Sequence, residues 1–270
     1  MKSKQEYLLT IPFEYLLGFI GHSHLVKPGN SYYTKKDFVQ RILRTLSASD
    51  CQWLHSMYLR KIPSRKVAEL YLMKYPTAEI IRTAFVDHII KEVHDDIGEI
   101  SYEFPIPKTR VDIARIQGES YAYELKSIRD TNRRIKNQIN SMRSLFERVY
   151  LVLPKEKNLL TSISINKKVG IYYYLIEDKN IIFKRRRKAY RNTSFDSLGQ
   201  LQLFHIDELT NYFSNVFKIN SGTSSRKIME QKLIDKLTSR KINNKFKQVL
   251  KNRFQQLPIN NFTLNPSMKT

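Results

Sequence analysis

Residues 149–153 read Val-Tyr-Leu-Val-Leu, and this run limits sharply how the chain can fold around it. A strand with one face in water alternates apolar and polar side chains; five apolar residues in succession describe a strand covered on both faces, as in a parallel or mixed sheet sandwiched by helices. The flanking pattern supplies those helices. Ile135, Ile139, Met142 and Phe146 recur at helical spacing just before the run, with Asp130 or Thr131 placed to open the helix. Further upstream, Thr77 stands ready to cap a helix carrying Ile81, Phe85, Ile89 and Val93, ended by Asp95, Asp96 and Gly98. Three strand-like stretches lie between the two helices, at Glu99–Ile106, Thr109–Ile116 and Ser120–Lys126. The expected order is helix, three-strand meander, helix, strand, an α/β class, extended by a hairpin of Gly170–Ile176 and Ile181–Lys184 around a turn at Asp178–Asn180.

Two flanking regions differ from this middle. Residues 1–76 are patterned as short helices: Thr34 and Asp37 resemble a capping box ahead of Phe38, Ile42, Leu43 and Leu46, a second stripe holds Trp53, Leu54, Met57 and Tyr58, and Ser64 is placed to cap a third with Val67, Leu70 and Tyr71. Pro63 and Pro76 punctuate them. Such a series is expected to be either a helical cap or a helix-turn-helix DNA reader. Residues 215–270 carry many Lys and Arg against only Glu230 and Asp235, and are expected to form a basic tail of two helices, one with Met229, Leu233 and Leu237, the other with Ile242, Phe246 and Val249. The expected division is therefore 1–76, 77–214 and 215–270.

Charge narrows the partner. The chain has 47 Lys and Arg against 25 Asp and Glu, a formal net charge of +22. A polyanion is the simplest reason to tolerate that self-repulsion, and nucleic acid fits better than a membrane because the basic residues do not gather beside a lipid-inserting helix. No membrane partner is expected, and no run reaches the length of a span. A single cysteine, Cys51, excludes an internal disulfide framework and suits a cytoplasmic setting. The Lys184-Arg185-Arg186-Arg187-Lys188 run is a candidate phosphate-contacting stretch, or a solvated face.

The chemistry-bearing residues sit on the two middle strands. If Gln117, Gly118 and Glu119 make the turn, Ile116 pairs with Ser120, and counting back sets Asp112 opposite Glu124 with both side chains on one side of the sheet. Alternation adds Arg110 to the Asp112 face and Lys126 to the Glu124 face. A two-residue turn would shift the register and separate them. Two facing carboxylates repel and raise each other's pKa, a conflict that a hard divalent cation such as Mg²⁺ removes. A metal there activates water and phosphate, and an adjacent lysine orients or deprotonates the water. The plainer reading is an exposed strand whose acids are offset by Lys126 or Arg110.

The sequences Arg110-Val111-Asp112-Ile113-Ala114 and Tyr123-Glu124-Leu125-Lys126-Ser127, joined by a short turn, resemble the core of the PD-(D/E)XK, restriction-endonuclease-like nucleases, closest to a poorly characterised bacterial subgroup. Asp130, Arg133, Arg134, Gln138 and the 149–153 run continue the likeness, as do Arg82 upstream and 170–176, 189–192 and 207–209 downstream. The resemblance implies a restriction-endonuclease-like core and hydrolysis of phosphodiester bonds, with DNA the expected substrate, in bacterial or phage DNA processing or defence. It implies Asp112, Glu124 and the Leu125 carbonyl as ligands of Mg²⁺, with Mn²⁺ as a substitute, and Lys126 as the catalytic lysine. Gln138 would abut the site, with Arg110, Arg133, Arg134 and Lys184 to Lys188 along the nucleic acid. Val111 stands where many members have proline, and Met142 where some have tyrosine. Many members cut as homodimers. The alternative is a non-catalytic nucleic-acid-binding protein with a nuclease-like core and a helix-turn-helix-like N-terminus.

Overall fold

The computed structural model describes residues 3–23, 46–93, 96–128, 130, 133–156, 166–177, 180–219 and 224–256. It divides into two compact units, Met1–Thr77 and Ala78–Thr270. The Thr34 and Asp37 capping box and Phe38, Ile42 and Leu43 of its stripe lie outside the described residues, as do Asp95, Thr131 and Asp178, while Leu46 is buried.

The first unit holds α1 (Lys4–Leu9), α2 (Phe13–Ser23), α3 (Ala48–Leu59) and α4 (Ser64–Lys74). Capping boxes start two of them: Ser3 with Glu6 opens α1, and Ser47 with Asp50 opens α3. Ser64 does not cap α4. It is the first helical residue, after Pro63, whose ring lacks the N–H that a helix start leaves unbonded; its side chain instead lies over Gly18, so close that no Cβ would fit there. Leu8, Leu16, Phe19, Leu54, Val67 and Tyr71 form the shared core of this unit.

The second unit is built on a six-stranded mixed sheet in the order β1-β2-β3-β4-β5-β6. Its elements are α5 (Ala78–Val93), β1 (Glu99–Ile106), β2 (Thr109–Gln117), β3 (Glu119–Leu125), α6 (Ile135–Leu145), β4 (Arg148–Pro154), β5 (Gly170–Glu177), β6 (Asn180–Arg187), α7 (Ser197–Gln202), α8 (Ile206–Phe217), α9 (Arg226–Lys236) and α10 (Ser239–Gln256). β1 to β3 form an antiparallel meander, β3, β4 and β5 run parallel, and β6 returns antiparallel. The 149–153 run is β4, near the middle of the sheet and buried throughout. Each face has its own core. Ala114, Ala122, Leu151 and Leu153 pack with Ile135, Ile139 and Met142 of α6, while Ile113, Tyr123, Val152 and Tyr172 pack with Ile81, Phe85 and Ile89 of α5.

Two expectations are corrected here. α6 begins at Ile135, after an Arg134 that provides no side-chain cap; Asp130 instead accepts from the Ser127 N–H at 2.6 Å, closing a turn of its own. Nor do residues 215–270 begin a separate tail. α8 runs across residue 214, and Met229, Leu233, Ile242, Phe246, Leu250 and Phe254 of α9 and α10 join the same core as Phe104, Phe146 and Leu151. The basic residues of these helices mark their outer faces, and the apolar stripe beneath is structural. Among the described residues, no helix is long and apolar enough to cross a membrane.

Candidate active site

Gly118, at φ +64°, makes the β2–β3 turn, and the ladder runs from Gln117↔Glu119 through Ile116↔Ser120 to Ile113↔Tyr123. Continued by one step, this register sets Asp112 opposite Glu124. The backbone ladder gives way there: the Leu125 N–H donates to Asp112 Oδ2 at 2.6 Å, so the carboxylate is pinned by the strand that carries Glu124. Glu124 pairs in register with Leu151, whose side chain lies under α6. Alternation puts Asp112 and Glu124 on that α6-covered side, beside the small Ala114 and Ala122, which leave room for the helix.

α6 delivers Gln138. Lys126 Nζ donates to Gln138 Oε1 at 3.1 Å and to Glu124 Oε1. The lysine backbone is held from both ends, its N–H on the Val152 carbonyl at 2.9 Å and its carbonyl accepting from the Tyr174 hydroxyl at 3.2 Å. Asp112, Glu124, Lys126 and Gln138 thus converge, positioned by three different elements. Leu125 is buried between them in sequence, its N–H committed to Asp112.

Glu124 is 1% exposed, and its Oε2 is a buried atom with no hydrogen-bond partner. Burial, then the nearby Asp112 charge, push its carboxyl up to about 7 against the pull of Lys126 and Gln138. Asp112 is raised as well, chiefly by burial, while the Leu125 N–H, Lys126 and Arg82 hold it down. An unpartnered carboxylate oxygen beside a second raised carboxyl is a donor set short of one positive charge, which a hard dication fits. Among the described residues no group of three His, Cys, Asp or Glu side chains gathers in a way that would hold a metal.

One neighbour, Glu103, was not singled out in the sequence. It falls between the pairs Tyr102↔Ile113 and Phe104↔Val111, level with Asp112, in left-handed backbone at φ +50°. Its carboxylate accepts from Arg82 of α5, the arginine that the family resemblance includes. β1 reads as a plain strand, so the strained residue was not legible there; a non-glycine in this conformation stores about 1–3 kcal/mol and concentrates at functional sites.

The candidate nucleic-acid contacts separate into two groups. Arg110 and Arg134 are exposed on the walls of a groove of about 790 Å³ that also includes Gln138. Arg133, exposed in the preceding turn, does not line it. Lys184 to Lys188 lie on and just beyond β6, an edge strand. Register across the sheet aligns Arg187 with Glu124 through Leu151 and Ile171, three strand spacings or about 14 Å away. Arg185 pairs with Glu92 of α5 at 2.9 Å, and Arg187 donates to the Val169 carbonyl at 2.8 Å. The fold engages those two, whereas Lys184, Arg186 and Lys188 are exposed.

Fold and site together define a mixed α/β protein with a buried glutamate, a half-buried aspartate facing it and a lysine at the end of its third strand. The family model described as bacteriophage P4 protein cII matches residues 74–264, and the chain belongs to that family. No curated protein matches it. Among solved structures, a protein of unknown function from Silicibacter pomeroyi is similar at 12% identity over 46% of this chain and 82% of that one, with a TM-score of 0.28, too slight a likeness to carry an argument.

Proposed function

We propose that this chain is a Mg²⁺-dependent nuclease with a restriction-endonuclease-like core, hydrolysing phosphodiester bonds, with DNA as substrate. The observation that carries the reading is the convergence of Asp112, Glu124 and Lys126 in a buried setting, with one Glu124 oxygen left unpartnered. A structural salt bridge needs no second carboxylate, and two close acids with a single lysine leave one negative charge uncompensated.

Asp112, Glu124 and the Leu125 carbonyl would hold the metal. Bound there, Mg²⁺ supplies Lewis acidity toward a phosphate oxygen and toward water, and Mn²⁺ can replace it. Lys126, which donates to Glu124 and Gln138, would orient the attacking water or offset charge on the pentacoordinate phosphorus. Gln138 keeps the ammonium in place through its 3.1 Å contact. The Leu125 N–H favours the ionised form of Asp112, against the burial that raises this carboxyl. The excess of cationic residues supports a polyanionic partner, and the family's description after a bacteriophage protein supports a phage or mobile-element setting in the bacterial cytoplasm. A homodimer that cuts both strands is compatible with this reading.

The test is plasmid DNA incubated with Mg²⁺, and separately with EDTA, for the parent protein and Lys126→Ala. The expected outcome is Mg²⁺-dependent cutting, reduced at least about 100-fold in the variant. A second reading, a non-catalytic nucleic-acid binder, is favoured by the existing Lys126–Glu124 ion pair, which already neutralises one acid. Tight DNA binding with equal, negligible cutting by both proteins would decide for it.

A further inference from the structure

We infer that the groove walled by Lys108, Arg110, Arg134, Asn137 and Asn140 seats the sugar–phosphate backbone of duplex nucleic acid, not a splayed single strand. This rests on the phosphodiesterase reading, whose substrate it narrows. The groove holds about 790 Å³, within the range of small-molecule pockets, but those are lined mainly by apolar and aromatic side chains. Every described lining residue is polar or charged: three cations, three amides and two hydroxyls. Among the described residues no carboxylate stands on the walls, and none of the three cations ion-pairs with a described acid.

Local structure fixes the cations. Lys108 sits in the tight β1–β2 turn at φ +69°, Arg110 is two residues before Asp112 on β2, and Arg134 immediately precedes α6. All three are exposed. The groove leads to the acid pair, because the Gln138 side chain on its wall is the one that accepts from Lys126. A phosphate chain lying along it would bring a phosphodiester toward Lys126.

What the walls lack discriminates between substrates. Proteins that bind single strands stack bases on aromatic side chains, and no lining residue is aromatic. The tyrosines of the neighbouring strands, Tyr123, Tyr150 and Tyr172, are buried on the opposite face under α5. A duplex keeps its bases stacked internally and offers phosphates at its rim, which arginine, lysine and side-chain amides contact without base readout.

The experiment compares fluorescence anisotropy of a labelled 20-base-pair duplex and a single strand of equal length, across a salt series, with cutting of the duplex in Mg²⁺ measured in parallel. The proteins are the parent, Lys108→Ala/Arg110→Ala/Arg134→Ala, and Arg110→Lys/Arg134→Lys. The parent is expected to bind duplex at least tenfold more tightly than single strand. The triple variant should flatten the log–log salt slope by about 2.7, at about 0.9 per phosphate neutralised, and the charge-conserving variant should keep the parental slope. Equal or tighter binding to the single strand, or an unchanged slope in the triple variant, overturns the inference. Failure of the nuclease reading looks different: duplex binding with the expected slopes, but no cutting by the parent.

Discussion

Glu124 carries an acid into a place where ionisation is penalised, and its behaviour with pH follows. An unfolded glutamate titrates near 4.5, and the folded carboxyl is raised to about 7. Between those values the native state holds more protons than the unfolded one, so metal-free stability falls as pH rises through the window, by on the order of 3 kcal/mol if the full shift is expressed. Thermal melts of metal-free protein at pH 5 and pH 7.5 should show the higher Tm at pH 5, and Glu124→Gln should remove most of the difference. Added Mg²⁺ should act in the opposite sense, stabilising most at the higher pH, because the metal binds the ionised acid. Lys126→Ala should leave metal-free folding largely intact at low pH and destabilise it above pH 7, where the parent's ionised Glu124 is held by its ammonium and the variant's must stay protonated or stand uncompensated.

At the scale of elements, the β2–β3 hairpin and the links that clamp β3 matter most. Gly118 has left-handed backbone with open space around it, so Gly118→Ala should destabilise by about 1–2 kcal/mol through backbone strain alone. Gly98 is left-handed too, but a Cβ there would strike the Ile116 carbonyl, so Gly98→Ala should destabilise more; chemical denaturation of the two variants ranks them. Glu147, 2% exposed, accepts from the Ser120 N–H at 2.8 Å and pairs with Arg191 and Lys247, tying β3 to α10. Glu147→Ala should cost about 1–3 kcal/mol, chiefly because it leaves the buried Ser120 N–H without its acceptor, whereas Arg191 keeps Glu119 and Lys247 keeps the Gly118 carbonyl. Much of this element layer was legible in the sequence. Alternation and the Gly118 turn specify the hairpin register, and the unbroken 149–153 run marks the central strand. The start of α6 was not, because Asp130 looks like a cap but serves a local turn. Glu103 was not either, since its conformation and its Arg82 partner arise only when β1, β2 and α5 are packed together.

On the scale of the whole chain, composition misled where it stood in for packing. The Lys and Arg of residues 215–256 suggest a tail, yet Ile242, Phe246 and Leu250 are fully buried in the core that also supports α6. Truncation after residue 214 should therefore abolish cooperative unfolding of the second unit, followed by circular dichroism, instead of merely weakening DNA binding. The charge itself belongs to a long-range effect: a formal +22 should make any DNA association strongly salt-dependent. Whether two acids on adjacent strands hold a hard cation with a lysine beside it is decided by a crystal soaked in Mn²⁺. An anomalous peak is expected within about 2.2 Å of Glu124 and Asp112 carboxylate oxygens, with the Lys126 ammonium displaced from Glu124. A Mn²⁺-saturated crystal with no peak there, and the Lys126–Glu124 pair intact, would overturn the metal site.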